Sequence, residues 1–114
     1  ILNKAGINRF ASLSLPMDET LTNCSLDVSG RPWLEWKVIL PNEQIGGVDS
    51  EIFQEFFRAF AESAKMTIHI ENNYGSNAHH IIESCFKVLA VCLRNSLTIM
   101  KRNSDIIPST KGVI

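Results

Sequence analysis

The stretch Met66-Thr67-Ile68-His69-Ile70-Glu71-Asn72-Asn73-Tyr74-Gly75-Ser76-Asn77-Ala78-His79-His80-Ile81-Ile82-Glu83 changes its apolar period from two to 3.6 partway along. Met66, Ile68 and Ile70 alternate with Thr67, His69 and Glu71, which predicts a strand over Met66–Glu71 with one face buried. Asn72–Asn77 is rich in turn formers and can cap a helix starting at its end. That helix is expected to reach about Leu97, with Ile82, Cys85, Phe86, Leu89 and Leu93 as its apolar stripe.

Before this strand, Asp49 or Ser50 is placed to cap a helix running to about Lys65. Its stripe is Phe53, Phe56, Phe57, Phe60 and Ala64. Three further strands precede it. Arg9–Pro16 alternates cleanly. Thr20–Val28 has Leu21, Cys24 and Leu26 as apolar positions, and this imperfect alternation predicts a bulge. Ser29-Gly30-Arg31-Pro32 is a turn, Trp33–Leu40 is the third strand, and Pro41–Gly47 is a loop. Ile1–Ile7 reads as the tail of an earlier element, and the chain beyond Leu97 has no regular period. The order β-β-β-α-β-α predicts an α+β fold, a four-stranded sheet carrying two helices on one face.

At 114 residues the chain is one small unit, and 45% hydrophobic content is enough for a core. A formal charge of −1 removes any electrostatic case for nucleic acid or an anionic membrane. No apolar run approaches the roughly 18 residues of a membrane span. Cys24, Cys85 and Cys92 are odd in number and lack CxxC spacing, so reduced, inert thiols in a cytosol-like compartment are expected. No signal peptide is visible at Ile1-Leu2-Asn3-Lys4, and the missing initiator Met fits a partial sequence.

All three histidines fall within residues 69–80. On the last helix, His79, Glu83, Lys87 and His80 fall at roughly 0°, 40°, 80° and 100° of the wheel, away from the apolar stripe. Imidazole with carboxylate suits Mn, Fe or Zn rather than Mg or Ca. Taken alone, paired histidines at a helix start are more often solvated or capping, and HHxxE is a weak motif. Arg9, Arg31, Lys87, Ser109 and Lys111 are the residue types that converge on a phosphate, although each one singly reads as a solvated side chain. Composition and spacing reach only a small α+β domain with a candidate metal site.

Several segments together resemble the imidazoleglycerol-phosphate dehydratase family. They are Gly6-Ile7-Asn8-Arg9-Phe10, Leu15-Pro16-Met17-Asp18-Glu19, Leu26-Asp27-Val28-Ser29-Gly30-Arg31-Pro32, Glu55-Phe56-Phe57-Arg58-Ala59-Phe60-Ala61, Met66-Thr67-Ile68-His69, Asn77-Ala78-His79-His80-Ile81-Ile82-Glu83 and Ile107-Pro108-Ser109-Thr110-Lys111-Gly112. They run in family order over essentially the whole chain. Ala11, where the family usually has Gly, is a departure.

The resemblance implies a ribosomal protein S5 domain 2-like βββαβα unit, residues 1–114 being the C-terminal of the family's two tandem repeats. It implies a cytoplasmic hydro-lyase of histidine biosynthesis that removes water from imidazole glycerol phosphate to give imidazole acetol phosphate. Two Mn²⁺ per active site would hold the substrate's imidazole ring and make it an electron sink. His79, His80 and Glu83 would be ligands. Glu55, where other members have His or Glu, would be either a fourth ligand or only a surface residue of the first helix. Arg9, Arg31, Lys87, Ser109 and Lys111 would bind phosphate, with His69 a further substrate or supporting contact. Asp18 and Glu19 match an acidic pair to which the sequence assigns no role. The implied partners are a small phosphate substrate and copies of the same subunit, trimers assembling into an octahedral 24-mer. The isolated repeat would be inactive. The alternative is a non-enzymatic relative that binds metal or phosphate without turnover, distinguished by whether a first half with its own HHxxE lies upstream.

Overall fold

The computed structural model describes residues 7–41 and 44–98. Its elements are β1 (Phe10–Met17), β2 (Thr20–Asp27), β3 (Trp33–Lys37), β4 (Gln44–Ile45), β5 (Val48–Asp49), α1 (Glu51–Ala64), β6 (Thr67–Tyr74) and α2 (Ala78–Leu97). The expected helix tail before Ile7 and the aperiodic stretch beyond Thr98 lie outside the described residues.

The four long strands form one sheet in the order β1-β2-β6-β3. β2 pairs antiparallel with both β1 and β6, while β3 runs parallel to β6. A parallel pair needs a long crossover, and α1 supplies it between β3 and β6. β1 and β2 are joined by a tight turn in which Asp18 takes a left-handed conformation (φ 51), which Asp tolerates better than most residues. The helices cover one face of the sheet, α2 over β1 and β2 and α1 beside β3. Expected and observed architecture agree.

The core lies between sheet and helices. Cys24 and Leu26 of β2 and Ile68 and Ile70 of β6 meet Phe57 of α1 and Cys85, Val88 and Cys92 of α2, all buried. Phe57 is fully enclosed, with the Trp36 ring 4.9 Å away, and such burial stabilises by roughly 1.5–3 kcal/mol. All three cysteines are free and buried, as expected of inert thiols. Among the described residues no helix is long and apolar enough to cross a membrane.

Five local expectations are corrected. β2 is strictly alternating: Thr20, Thr22, Cys24 and Leu26 face the core, and Leu21 faces away. The pattern looked irregular because two threonines occupy core positions, made tolerable by hydrogen bonds. The bulge is real but sits on the partner strand. Leu21 pairs with Tyr74 and Thr22 with Asn72, which leaves Asn73 of β6 as the extra residue. The strand therefore runs to Tyr74, into the expected turn. β3 is shorter than Trp33–Leu40, and the loop region holds the β4–β5 hairpin instead, turning on Gly46 and Gly47 at positive φ.

Both helices turn most of their expected stripe inward, Phe57, Phe60 and Ala64 on α1 and Ile82, Cys85, Leu89 and Leu93 on α2, with one exposed phenylalanine on each as the departure. α1 buries Phe57 and Ala61 while Phe56 stays 49% exposed. α2 buries Ile82, Cys85 and Leu89 of that stripe together with Ile81, Ser84, Val88 and Cys92, leaving Phe86 at the rim. Ser50 stands at the start of α1, but its side chain makes no capping bond.

Candidate metal centre

α2 begins where β6 ends, and its start is tied down from two sides. Asn77, in extended conformation, accepts a hydrogen bond from the His80 backbone N–H through its side chain at 3.1 Å. This satisfies one of the free donors of a helix N-terminus. The second tie comes from the β1–β2 turn. Glu19 Oε2 accepts from the backbone N–H groups of Ser76 (3.1 Å) and Asn77 (3.2 Å) and from the Thr20 hydroxyl (2.5 Å). Gly75 lets the two segments approach. A Cβ there would lie 2.9 Å from Ile81 Cγ1 and overlap Thr20 Oγ1.

The other oxygen of Glu19 meets His80 Nδ1 at 2.6 Å. Asp18 Oδ2 stands 3.8 Å from His80 Nε2. The hydrogen bond from Thr20, followed by that with His80, holds the Glu19 carboxyl well below the usual carboxylate range. The same contact with Glu19 raises the His80 pKa. With Nδ1 engaged, Nε2 is the ring nitrogen left for a ligand. A histidine bound through one nitrogen and fixed by a carboxylate on the other is the usual arrangement at protein metal sites.

His79 is exposed and lines a cleft of about 370 Å³ between the β4–β5 hairpin and the helix start, with Gln44, Ile45, Gly46 and Asn77. One turn on, Glu83 and Lys87 pair at 3.6 Å. His79, His80, Glu83 and Lys87 thus all project from α2 outside its buried residues, the arrangement expected from the helical wheel. Glu55 is exposed on α1. Even so, among the described residues no three His, Cys, Asp or Glu side chains stand together closely enough to hold a metal. His80 is directed to Glu19, and Glu83 to Lys87.

The expected phosphate-binding residues are spread over the fold. Arg9, at φ 64, pairs with Asp27 at 2.9 Å and sits 5.0 Å from the Phe10 ring centre. The Arg31 carbonyl accepts from Ser29 Oγ and Thr67 Oγ1 in the turn before β3. Ser109 and Lys111 lie outside the described residues. His69 is on the sheet face opposite the helices, lining an open cleft of about 410 Å³ with Phe10, Ser12, Ser25 and Asp27. The structure does not bring it to the helix start. The role of Glu19, 61 residues from His80, was invisible to local spacing; only the match of its acidic pair to the family singled it out.

The family model described as imidazoleglycerol-phosphate dehydratase matches residues 1–93. The chain is 53% identical over 110 residues to the imidazoleglycerol-phosphate dehydratase of Rhodopseudomonas palustris strain BisB5, covering 96% of this chain and 56% of that protein. Strain TIE-1 gives 51% with the same coverage. The crystal structure of the Staphylococcus aureus N315 enzyme superposes with TM-score 0.82 at 40% identity, covering 85% of this chain and 57% of that one. The enzyme of Pyrococcus furiosus, solved in complex with (S)-C348, gives 0.78 at 35%, covering 95% and 58%. The chain spans about half the length of the curated relatives it matches. On sequence and fold together, the chain belongs to the imidazoleglycerol-phosphate dehydratase family.

Proposed function

We propose that this chain is the C-terminal repeat of a cytoplasmic hydro-lyase that dehydrates imidazole glycerol phosphate to imidazole acetol phosphate in histidine biosynthesis. It would work as part of a homo-oligomer, trimers assembling into an octahedral 24-mer, and by itself would not turn over. The observation that supports this best is the His80 imidazole, held at Nδ1 by Glu19 and next to exposed His79. Its Nε2 is in no hydrogen bond among the described residues, with only the Asp18 carboxylate 3.8 Å away.

The donor set fits manganese: two imidazoles and the Glu83 carboxylate on one helix face, with Glu55 as a further carboxylate. Two Mn²⁺ per site would supply Lewis-acid polarisation of the substrate's imidazole, needed because the proton to be lost has no neighbouring carbonyl to acidify it. Because no three of these groups converge within the described residues, the remaining ligands would come from the other repeat and from neighbouring subunits. Arg9, Arg31 and Lys87, with Ser109 and Lys111, would hold the phosphate by charge-assisted hydrogen bonds. Lys87 would exchange Glu83 for the phosphate as Glu83 turns to a metal. His69 would act from the sheet side as a supporting or substrate contact.

The test uses the complete enzyme, this chain joined to the segment that its Rhodopseudomonas relatives carry beyond it. His80→Ala should lower Mn²⁺ content and abolish dehydration. Unchanged metal stoichiometry would refute the assignment.

A further inference from the structure

The Glu19 carboxylate spans two tasks that are usually separate. Oε2 is saturated by donors, namely two backbone N–H groups at the start of α2 and the buried Thr20 hydroxyl. Oε1 is left to face His80 Nδ1 at 2.6 Å. An ionised carboxylate only accepts, so Nδ1 must carry the proton and Nε2 presents its lone pair whenever the ring is neutral. The carboxylate cannot swing away without also releasing Ser76 and Asn77. Its own backbone is held in place by Thr20, packed against Gly75 without room for a Cβ.

We infer that Glu19 is a positioning residue: it selects the His80 tautomer that can bind metal through Nε2, and it couples that choice to the capped start of α2. This rests on the reading of His80 as a metal ligand. The chemistry predicts a sharp distinction between two substitutions. In Glu19→Gln, the amide oxygen can replace Oε2 under the same donors, and the NH₂ then faces His80. That group donates, so Nδ1 must accept and the ring proton moves to Nε2, blocking the ligand nitrogen while the helix cap survives. Glu19→Ala removes cap and tautomer control together.

The experiment compares Glu19→Gln, Glu19→Ala and His80→Ala in the complete enzyme. Mn²⁺ affinity is read from the free aquo-ion by electron paramagnetic resonance, and thermal midpoints are read without metal. The expected result is a roughly 10–100-fold weaker Mn²⁺ Kd in Glu19→Gln, the usual size for lost outer-shell partners, with a midpoint close to the parent's. Glu19→Ala should lose both affinity and midpoint. A Glu19→Gln protein with parental affinity, while His80→Ala loses metal, overturns the positioning role and leaves the ligand assignment standing. A parallel fall of midpoint and affinity in Glu19→Gln assigns Glu19 to the fold alone and also overturns it. Parental affinity in His80→Ala overturns the ligand assignment beneath it.

Discussion

The hydroxyls of Thr22 on β2 and Ser84 on α2 meet at 2.6 Å inside the core, 62 residues apart in the chain. Ser84 Oγ donates to the Ile81 carbonyl, and Asn72 Nδ2 donates to Thr22 Oγ1. The protons therefore run one way, from Asn72 to Thr22 to Ser84 to Ile81. This chain ties the bulged strand to the first turns of α2 and sets which side of the helix faces the sheet.

Breaking it at one point leaves a buried polar group without its partner. Thr22→Val or Ser84→Ala should each cost about 1–3 kcal/mol, the range for an unsatisfied buried group. The double variant should cost less than the sum, since it removes both hydroxyls. Equilibrium denaturation of the three variants measures this, and strict additivity would show that the two hydroxyls do not depend on each other.

Gly75→Ala should destabilise by roughly 1–3 kcal/mol, the cost of overpacking, because the added methyl meets Thr20 and Ile81. Since Thr20 is the neighbour of Glu19, Mn²⁺ affinity should fall in the same variant. A Gly75→Ala protein with parental stability would mean that the turn relaxes freely and that the approach is not enforced.

Burial pushes the Cys85 thiol from its ordinary 9.0 up to about 12. In the unfolded chain that thiol ionises near 9.0, whereas the folded protein keeps its proton. The resulting contribution is complete below pH 9.0 and lost as pH rises from there towards 12. Denaturant midpoints should fall as pH rises above about 9, and Cys85→Ala should reduce the slope. Thiol reagents should modify Cys85 only after unfolding. A slope unchanged by Cys85→Ala would trace the alkaline loss to other groups.

Phe56 and Phe86, 49% and 37% exposed, meet with ring centres 5.3 Å apart and planes tilted by 48° across the two helices, and Ile52, one turn before Phe56, is 49% exposed. An exposed aromatic patch of this kind favours association. The 114-residue chain made alone should bind an apolar dye and self-associate by light scattering, and Phe56→Gln should reduce both. A monodisperse chain that binds no dye would show that the patch is harmless.

Local periodicity was enough for the order of the long strands and helices, because side-chain alternation and the helical wheel act over a few residues. Ile68 and Ile70, the Phe57 helix and the His79–Glu83 face were all legible on that basis. The faces of Thr22 and Ser84 were not, since a polar residue reads as solvent-facing until a partner on another element satisfies it. The bulge showed the same limit: its signal was in β2, but the extra residue, Asn73, belongs to the strand β2 pairs with.

At the candidate centre the residue types could be read from the chain alone, two adjacent histidines and a carboxylate on one exposed helix face. Which imidazole nitrogen is free emerged only on folding. It depends on Glu19, brought from a distant turn by strand pairing and by the close approach at Gly75. A hydrogen bond is settled by distance in space, and a separation of 61 residues along the chain leaves no local trace of it.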